Sequence, residues 1–303
     1  MSFSVRILGT GAAIPTLKRG TTSQLVVCQQ RHILIDCGEG TQLQMRKFKV
    51  KFQNLQLVLI SHLHGDHILG LPGLIGTMQL LGRTKPMIII GPKGIEELLK
   101  TFFNLAGLHV SFPIQFQEIE EKKTGLVYED KCIEIITFPL QHRIPTHGFR
   151  INEKPGKRHL DKEAFDKTGV SVSYINKLTS GQDIIDNNGV KVSYKDVTTS
   201  PNPTKSYAFC SDTSYFPEIV QHIKDVDLLY HEATFIEKHK ERAKSTFHST
   251  AQQAASIAVQ AQAKRLILGH LSARYDDSEE HLKEAKELHE KVFIPEDGEL
   301  FLV

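Results

Sequence analysis

Ser61-His62-Leu63-His64-Gly65-Asp66-His67 puts three imidazoles and one carboxylate within six consecutive residues, 62 to 67. The run before it, Leu55-Gln56-Leu57-Val58-Leu59-Ile60, reads as a buried strand by its length and β-branched content. Gly65 permits a tight turn, and a helix-like stretch follows. Four ligand-type side chains thus project from one strand end and the turn after it. Neutral imidazole and carboxylate suit zinc or a similar first-row metal. His62 and His64 on one side, Asp66 and His67 on the other, can diverge to serve two ions.

Outward from this stretch, strands and helices alternate, which predicts an α/β chain. Upstream, Val5 to Gly11 reads as a strand running into a glycine turn. Strands at Ser23 to Cys28 and His32 to Asp36 follow, then the turn Asp36-Cys37-Gly38-Glu39-Gly40-Thr41. Downstream, Met87 to Ile90 is a short buried strand, and Ile95 to Leu105 has apolar residues at helical spacing. Cys132 to Phe138 is a strand that leads to His142, held between Pro139 and Pro145.

Tyr207 to Ser211 is a strand ending in Asp212. Val226 to Tyr230 is another, ending in His231-Glu232-Ala233-Thr234. After a basic linker with Lys238, Lys240, Arg242 and Lys244 comes His248-Ser249-Thr250. Thr250 with Gln253 has the pattern of a capping box, which fixes His248 at the edge of an Ala-rich helix. Arg265 to Gly269 is a strand ending in His270. Ser278 to Lys291 is an amphipathic helix, and a last strand pairs Phe301 with Val303.

Between 146 and 205 the character changes. Apolar periodicity is poor and polar turns are frequent, so a flexible inserted arm without its own core is expected. Within it Val170 to Ile175 alternates like an exposed hairpin strand, and Pro155-Gly156-Lys157-Arg158 carries two cations.

The chain has 303 residues, 40% of them hydrophobic, enough to bury a sizeable core. With 37 basic against 35 acidic residues, any nucleic-acid surface must be local rather than a property of the whole molecule. Cys28, Cys37, Cys132 and Cys210 show no C-x-x-C spacing and lie in apolar runs. They read as reduced thiols of a cytoplasmic protein. Neither a secretory pattern nor an apolar run of about 18 residues is present, so export and a membrane span are not expected.

His62, His64, Asp66, His67, His142, Asp212 and His270 all stand at or just past apolar strand ends. Strand ends on one side of a sheet converge, so these residues can share a site.

His62-Leu63-His64-Gly65-Asp66-His67 resembles the H-x-H-x-D-H signature of the metallo-β-lactamase superfamily. Within it the chain is similar, over essentially its whole length, to the short form of the ribonuclease Z family, the tRNA 3′-processing endonucleases. The more specific marks are Leu8-Gly9-Thr10-Gly11, Asp36-Cys37-Gly38-Glu39-Gly40-Thr41-Gln42, His231-Glu232-Ala233-Thr234 and His248-Ser249-Thr250.

The resemblance implies a four-layer αββα sandwich over 1–303 with a tRNA-binding arm inserted at 146–205. It also implies a homodimer, a precursor-tRNA substrate and two zinc ions per chain, replaceable by Mn2+ or another divalent ion. His62, His64 and His142 would hold the first ion; Asp66, His67 and His270 the second; Asp212 would bridge. Asp66 would also act as general base, while Glu232 would orient His248 to protonate the departing 3′ oxygen. Arg19, Lys157 and Arg158 would contact substrate. Cleavage would leave a 3′-hydroxyl on the tRNA and a 5′-phosphate on the trailer. The chain departs from the family loop at Leu17, where a lysine belongs, and at Gly20, which replaces an asparagine. The arm lacks the family's Gly-Pro-Leu step before Lys177-Leu178.

Two other readings use the same residues. One is a small-molecule hydrolase such as a lactonase or cyclic phosphodiesterase, which the metal ligands alone do not separate from a nuclease. The other is a tRNA-binding protein with structural metals, which would need closed coordination spheres.

Overall fold

The computed structural model describes residues 3–303. They divide into two compact units, one built from residues up to 152 and from 205 onward, the other from 153–204.

The first unit holds two seven-stranded sheets. Strands β1 (Phe3–Gly9), β2 (Ser23–Cys28), β3 (Arg31–Cys37), β4 (Leu55–Leu59), β5 (Met87–Pro92) and β6 (Ile114–Ile119) enter the first sheet. Strands β7 (Gly125–Glu129), β8 (Ile133–Leu140) and β9 (Thr146–Glu153) begin the second. In the 153–204 unit lie β10 (His159–Leu160), β11 (Ile184–Ile185), β12 (Lys191–Val192) and β13 (Thr198–Thr199). The second sheet is completed by β14 (Ser206–Cys210), β15 (Leu228–Glu232), β16 (Leu266–Gly269) and β17 (Val292–Phe293), and β18 (Leu300–Leu302) returns to the first. The sheet orders are β18-β1-β2-β3-β4-β5-β6 and β17-β16-β15-β14-β9-β8-β7. β3 to β6 run parallel, as do β14 to β17.

Period-two alternation assigns each strand residue to a layer. Ile33 and Ile35 of β3, Leu57 and Leu59 of β4, Tyr207 and Phe209 of β14, and Ile267 of β16 share one core between the sheets. Their neighbours face outward. Leu34 and Val58 meet Leu71, Leu74 and Met78 of the helix Gly70–Leu80. Ala208, Leu229 and Leu268 meet Ala254, Ile257 and Ala258 of the helix Ala251–Gln260. Strands buried on both faces account for the continuous apolar runs in the sequence. The layers are helix, sheet, sheet, helix. A capping box at Thr250 and Gln253 starts the second of these helices, as its sequence predicts.

The segment Gly38–Gly70 is a close backbone crossing. A Cβ at Gly38 would lie 2.2 Å from the Asp66 carbonyl, and one at Gly70 would lie 2.1 Å from the Gly38 carbonyl. Only glycine lets the turn after β3 press against the donor-bearing loop after β4.

Four expectations are corrected. The insert starts later than 146, because Thr146–Glu153 is β9, antiparallel to β14 with Phe149 opposite Phe209. It has a core of its own, formed by Phe165, Val170, Leu178, Ile184, Val192 and Val197. Its apolar residues are drawn from short, irregular pieces, so no single window shows a period. Val170 to Ile175 is not a hairpin strand: Val172–Tyr174 is a 3-10 turn that runs into the helix Ile175–Thr179. The Ser171 side chain accepts the Ser173 N–H, a local bond that competes with strand pairing. Likewise the basic stretch expected as a linker contains the helix Lys240–Thr246. All four cysteines are free, and no helix among the described residues is long and apolar enough to cross a membrane.

Candidate metal centre and acid pair

The C-terminal ends of the parallel strands all point to one edge. After β4, His62 and His64 sit in an extended loop, and Asp66 and His67 in the one-turn helix Gly65–Ile68. His142 follows β8, Asp212 follows β14 and His270 follows β16. Backbone bonds tie the two sheets together here: His147 N–H to the Ser61 carbonyl (3.0 Å), Ala12 N–H to the Leu271 carbonyl (3.0 Å) and Leu271 N–H to the Thr10 carbonyl (2.8 Å).

Two donor clusters result, one of His62, His64, His142 and Asp212, the other of Asp66, His67 and His270, and His248 comes close enough to Asp212 and His270 to form a third such group. In the first, His64 Nδ1 lies 3.1 Å from His62 Nε2 and 3.2 Å from His142 Nε2. Asp212 Oδ2 lies 3.6 Å from His62 Nε2 and 3.8 Å from His142 Nε2. In the second, Asp66 Oδ2 lies 3.4 Å from His67 Nε2 and 3.3 Å from His270 Nε2. Asp212 Oδ1 faces the same two nitrogens at 3.4 and 3.2 Å. Four donors around a tetrahedral ion with bonds of about 2.0–2.1 Å stand about 3.3 Å apart. The residues therefore fit a divalent ion in each cluster, with one Asp212 oxygen toward each. The buried His67 Nε2 has no hydrogen-bond partner, which marks the same spot.

On four of the five rings the other nitrogen is held by a neighbour, which fixes the one left to bind metal. His67 Nδ1 donates to Asp36 Oδ2 at 2.7 Å, and His142 Nδ1 to the Phe247 carbonyl at 2.9 Å. His270 Nδ1 donates to Thr234 Oγ1 at 2.9 Å, and His62 Nδ1 to Ser61 Oγ at 3.0 Å. The Ser61 hydroxyl in turn donates to Asp36 (2.8 Å) and the Thr234 hydroxyl to Glu232 (2.8 Å). Asp36, Ser61 and Thr234 had no assigned role in the sequence. The signal for Asp36 was a charged residue closing the apolar run Ile33-Leu34-Ile35.

Burial holds His62 and His142 below the usual imidazole range, so they are neutral with lone pairs free. His67 is buried too, yet the Asp212 and Asp36 charges raise it well above that range; what favours a proton there favours a cation. Burial pushes the Asp66 carboxyl up, but the facing His270 and His67 rings outweigh it and keep the group ionised. Asp66 Oδ2 also accepts the Ala13 N–H at 2.8 Å, so the loop after β1 touches this ligand directly.

Beside the clusters stands the His248–Glu232 pair. His248 Nδ1 lies 2.9 Å from Glu232 Oε1. Glu232 closes β15, is fully buried, and accepts four further bonds, from Thr213 N, Ser249 N, Thr234 N and Thr234 Oγ1. Burial opposes charge on His248, but the Glu232 carboxylate raises its pKa to about 9.

A beta-lactamase superfamily domain model matches residues 176–271, and the model of the anti-Pycsar protein Apyc1 matches 3–144. The ribonuclease Z of Bacteroides fragilis (strain YCH46) is 45% identical over 283 residues, which is 93% of each chain. The chain belongs to the ribonuclease Z family. The crystal structure of the short form of human tRNase Z superposes with a TM-score of 0.72 at 28% identity, covering 98% of both chains. The metallo-β-lactamase fold protein YhfI from Bacillus subtilis gives 0.71 at 19% identity, over the full length of both. The fold is thus of the metallo-β-lactamase type. In this member of the ribonuclease Z family the donor clusters provide for divalent metal.

The three expected substrate contacts also have partners within the chain. Arg19 Nη1 donates to Thr10 Oγ1 (2.6 Å) and the Pro295 carbonyl (2.8 Å), and so braces the loop that reaches Asp66. In the 153–204 unit, Arg158 donates to Thr198 Oγ1 (2.7 Å) and stacks on Tyr194, and Lys157 reaches Asn176 Oδ1 (2.9 Å).

Proposed function

We propose that the chain is a zinc-dependent endoribonuclease that removes 3′ trailers from tRNA precursors, leaving a 3′-hydroxyl on the tRNA and a 5′-phosphate on the trailer. The observation that carries this reading is the Glu232–His248 pair beside two donor clusters joined by Asp212, in a chain of the ribonuclease Z family. Two bound divalent ions supply a water acidic enough to ionise near neutral pH and offset charge on the phosphoryl oxygens.

The chain supplies the rest. His62, His64 and His142 would hold the first Zn2+, Asp66, His67 and His270 the second, and Asp212 would serve both. Asp66, whose Oδ2 faces His67 and His270, would be a ligand to the second ion and, as general base, would take up the proton of the attacking water. His248, held at Nδ1 by Glu232, presents Nε2–H to the departing 3′ oxygen. With a pKa of about 9 it carries that proton at neutral pH.

The 153–204 unit serves as the tRNA-gripping arm, a role supported by its separate core. The protein works as a homodimer, supported by exposed Leu69, Leu80, Leu98, Phe102 and Leu105 on or beside the helices Gly70–Leu80 and Ile95–Leu105. Free thiols suit a cytoplasmic setting.

The test is to incubate metal-analysed protein with a precursor tRNA and map the cut. One cut at the boundary of tRNA body and trailer, with the stated ends, is expected. Intact precursor alongside rapid hydrolysis of a small cyclic phosphodiester or a lactone would sink the reading.

A further inference from the structure

The arginines of this protein differ in how they are held. Most are tied into the fold. Arg31 meets Asp130 at 2.6 Å, Arg83 donates to the Leu55 carbonyl at 2.7 Å, and Arg150 donates to the Lys224 carbonyl at 3.0 Å. Arg274 is held by Ser272 Oγ at 3.2 Å and stacks over Phe235. Arg143 and Arg242 differ. Both line the cleft that contains His64, Asp66, His142, Asp212, His248 and His270, both are exposed, and neither guanidinium has a hydrogen bond or ion pair among the described residues.

Their backbones are nevertheless fixed, and fixed to each other. Arg143 follows His142, whose Nδ1 donates to the Phe247 carbonyl at 2.9 Å. Phe247 ends the helix Lys240–Thr246 that carries Arg242. The loop of Arg143 is also pinned by Gln141 N–H to Thr213 Oγ1 (3.1 Å) and by Ser214 N–H to the Gln141 carbonyl (2.8 Å). Two cations far apart in sequence are thus set on one lip of the cleft, the lip that bears His248. The His248 and His142 rings lie 5.2 Å apart.

A pair of unpaired guanidinium groups beside a phosphodiester-cleaving centre fits phosphate oxygens, which they engage through paired N–H donors. We propose that Arg143 and Arg242 clamp backbone phosphates of the RNA strand on the His248 side of the scissile bond, the side of the departing 3′ oxygen. This rests on the reading of the site as a ribonuclease. It makes the clamp a source of preference for a polynucleotide over a single phosphodiester, because an isolated diester has no second phosphate to offer.

The test uses the full-length, metal-loaded protein with a precursor tRNA transcript and with bis(p-nitrophenyl) phosphate. Arg143→Gln and Arg242→Gln should each lower kcat/KM on RNA about tenfold, the scale of one charge-assisted hydrogen bond, and the double variant about a hundredfold. That loss should exceed any loss on the small diester at least tenfold. The slope of log kcat/KM against log salt should become shallower by about 0.7–0.9 for each phosphate contact removed. The Arg→Lys pair should keep the salt slope and recover part of the rate. Equal losses on both substrates, or a double variant with the wild-type rate and salt slope on RNA, would overturn the clamp while leaving the ribonuclease reading intact. Wild-type protein that hydrolyses the small diester but cuts no RNA would overturn both.

Discussion

The two sheets contribute to the centre in different ways. The first delivers four donors, His62, His64, Asp66 and His67, from one loop after β4. The second delivers three, His142, Asp212 and His270, from three loops, and adds Glu232 and His248 from two further positions. The compact loop is braced from its own sheet, through Asp36 and Ser61. The dispersed donors are braced by one another's loops: Phe247 holds His142, and Thr234 holds His270. A ligand set drawn from one loop is a local motif. One drawn from many is a product of the whole sheet, and Asp212 is where the two meet.

The strongest way to break that comparison is Asp212→Ala. It removes an oxygen from each cluster, so metal content should fall by at least one ion per chain. Activity should drop by more than the roughly 10⁴-fold that bounds the contribution of a general acid. Two retained ions per chain by plasma emission analysis would show that the halves do not depend on a shared ligand.

His248→Ala tests the dispersed side alone. Cleavage should slow by about 10²–10⁴-fold with metal content unchanged, since His248 is no ligand in this assignment. A loss of metal in parallel with activity would make it one.

Asp36→Asn tests the compact side. It weakens the partner of His67 Nδ1, so affinity for one ion per chain should fall about 10–100-fold by chelator competition. Equal weakening of both ions would mean that Asp36 organises the loop as a whole.

The smallest effect contrasts these ligands with two buried histidines outside the clusters. Burial lowers His147 and His281 to about 4, against about 6.5 in an unfolded chain. Between those values the unfolded chain binds more protons. Their contribution is therefore complete above pH 6.5 and declines as pH falls through the window to 4. Stability should drop by about 2 kcal/mol per histidine between pH 6.5 and 5. Denaturant melts should show a shallower pH slope for His281→Asn than for wild type, whatever its absolute stability; an identical slope would remove His281 from the linkage.

Much of the first sheet was legible because its signals are local. A strand buried on both faces is a continuous apolar run, and a donor set in one loop is a word in the sequence. The second sheet was legible only in part. Glu232 reads as a residue after a strand, yet it closes β15, where full burial lets it gather five donors. The insert misled most. Its core is assembled from pieces of two to six residues, too short for either period to register.

By itself the sequence determined the chemistry on offer: imidazole and carboxylate in a dense cluster, further donors at later strand ends, and His248 at the edge of a capped helix start. Which nitrogen of each ring faces a metal, that Asp212 turns one oxygen to each cluster, that Arg19 is a brace and that Arg143 and Arg242 share a lip were decided only by the tertiary structure. The reason is that each of these depends on a partner far along the chain, as Asp212 does on His62 at 3.6 Å and His270 at 3.2 Å. Spacing along a sequence carries no record of a distance that exists only once two sheets have packed.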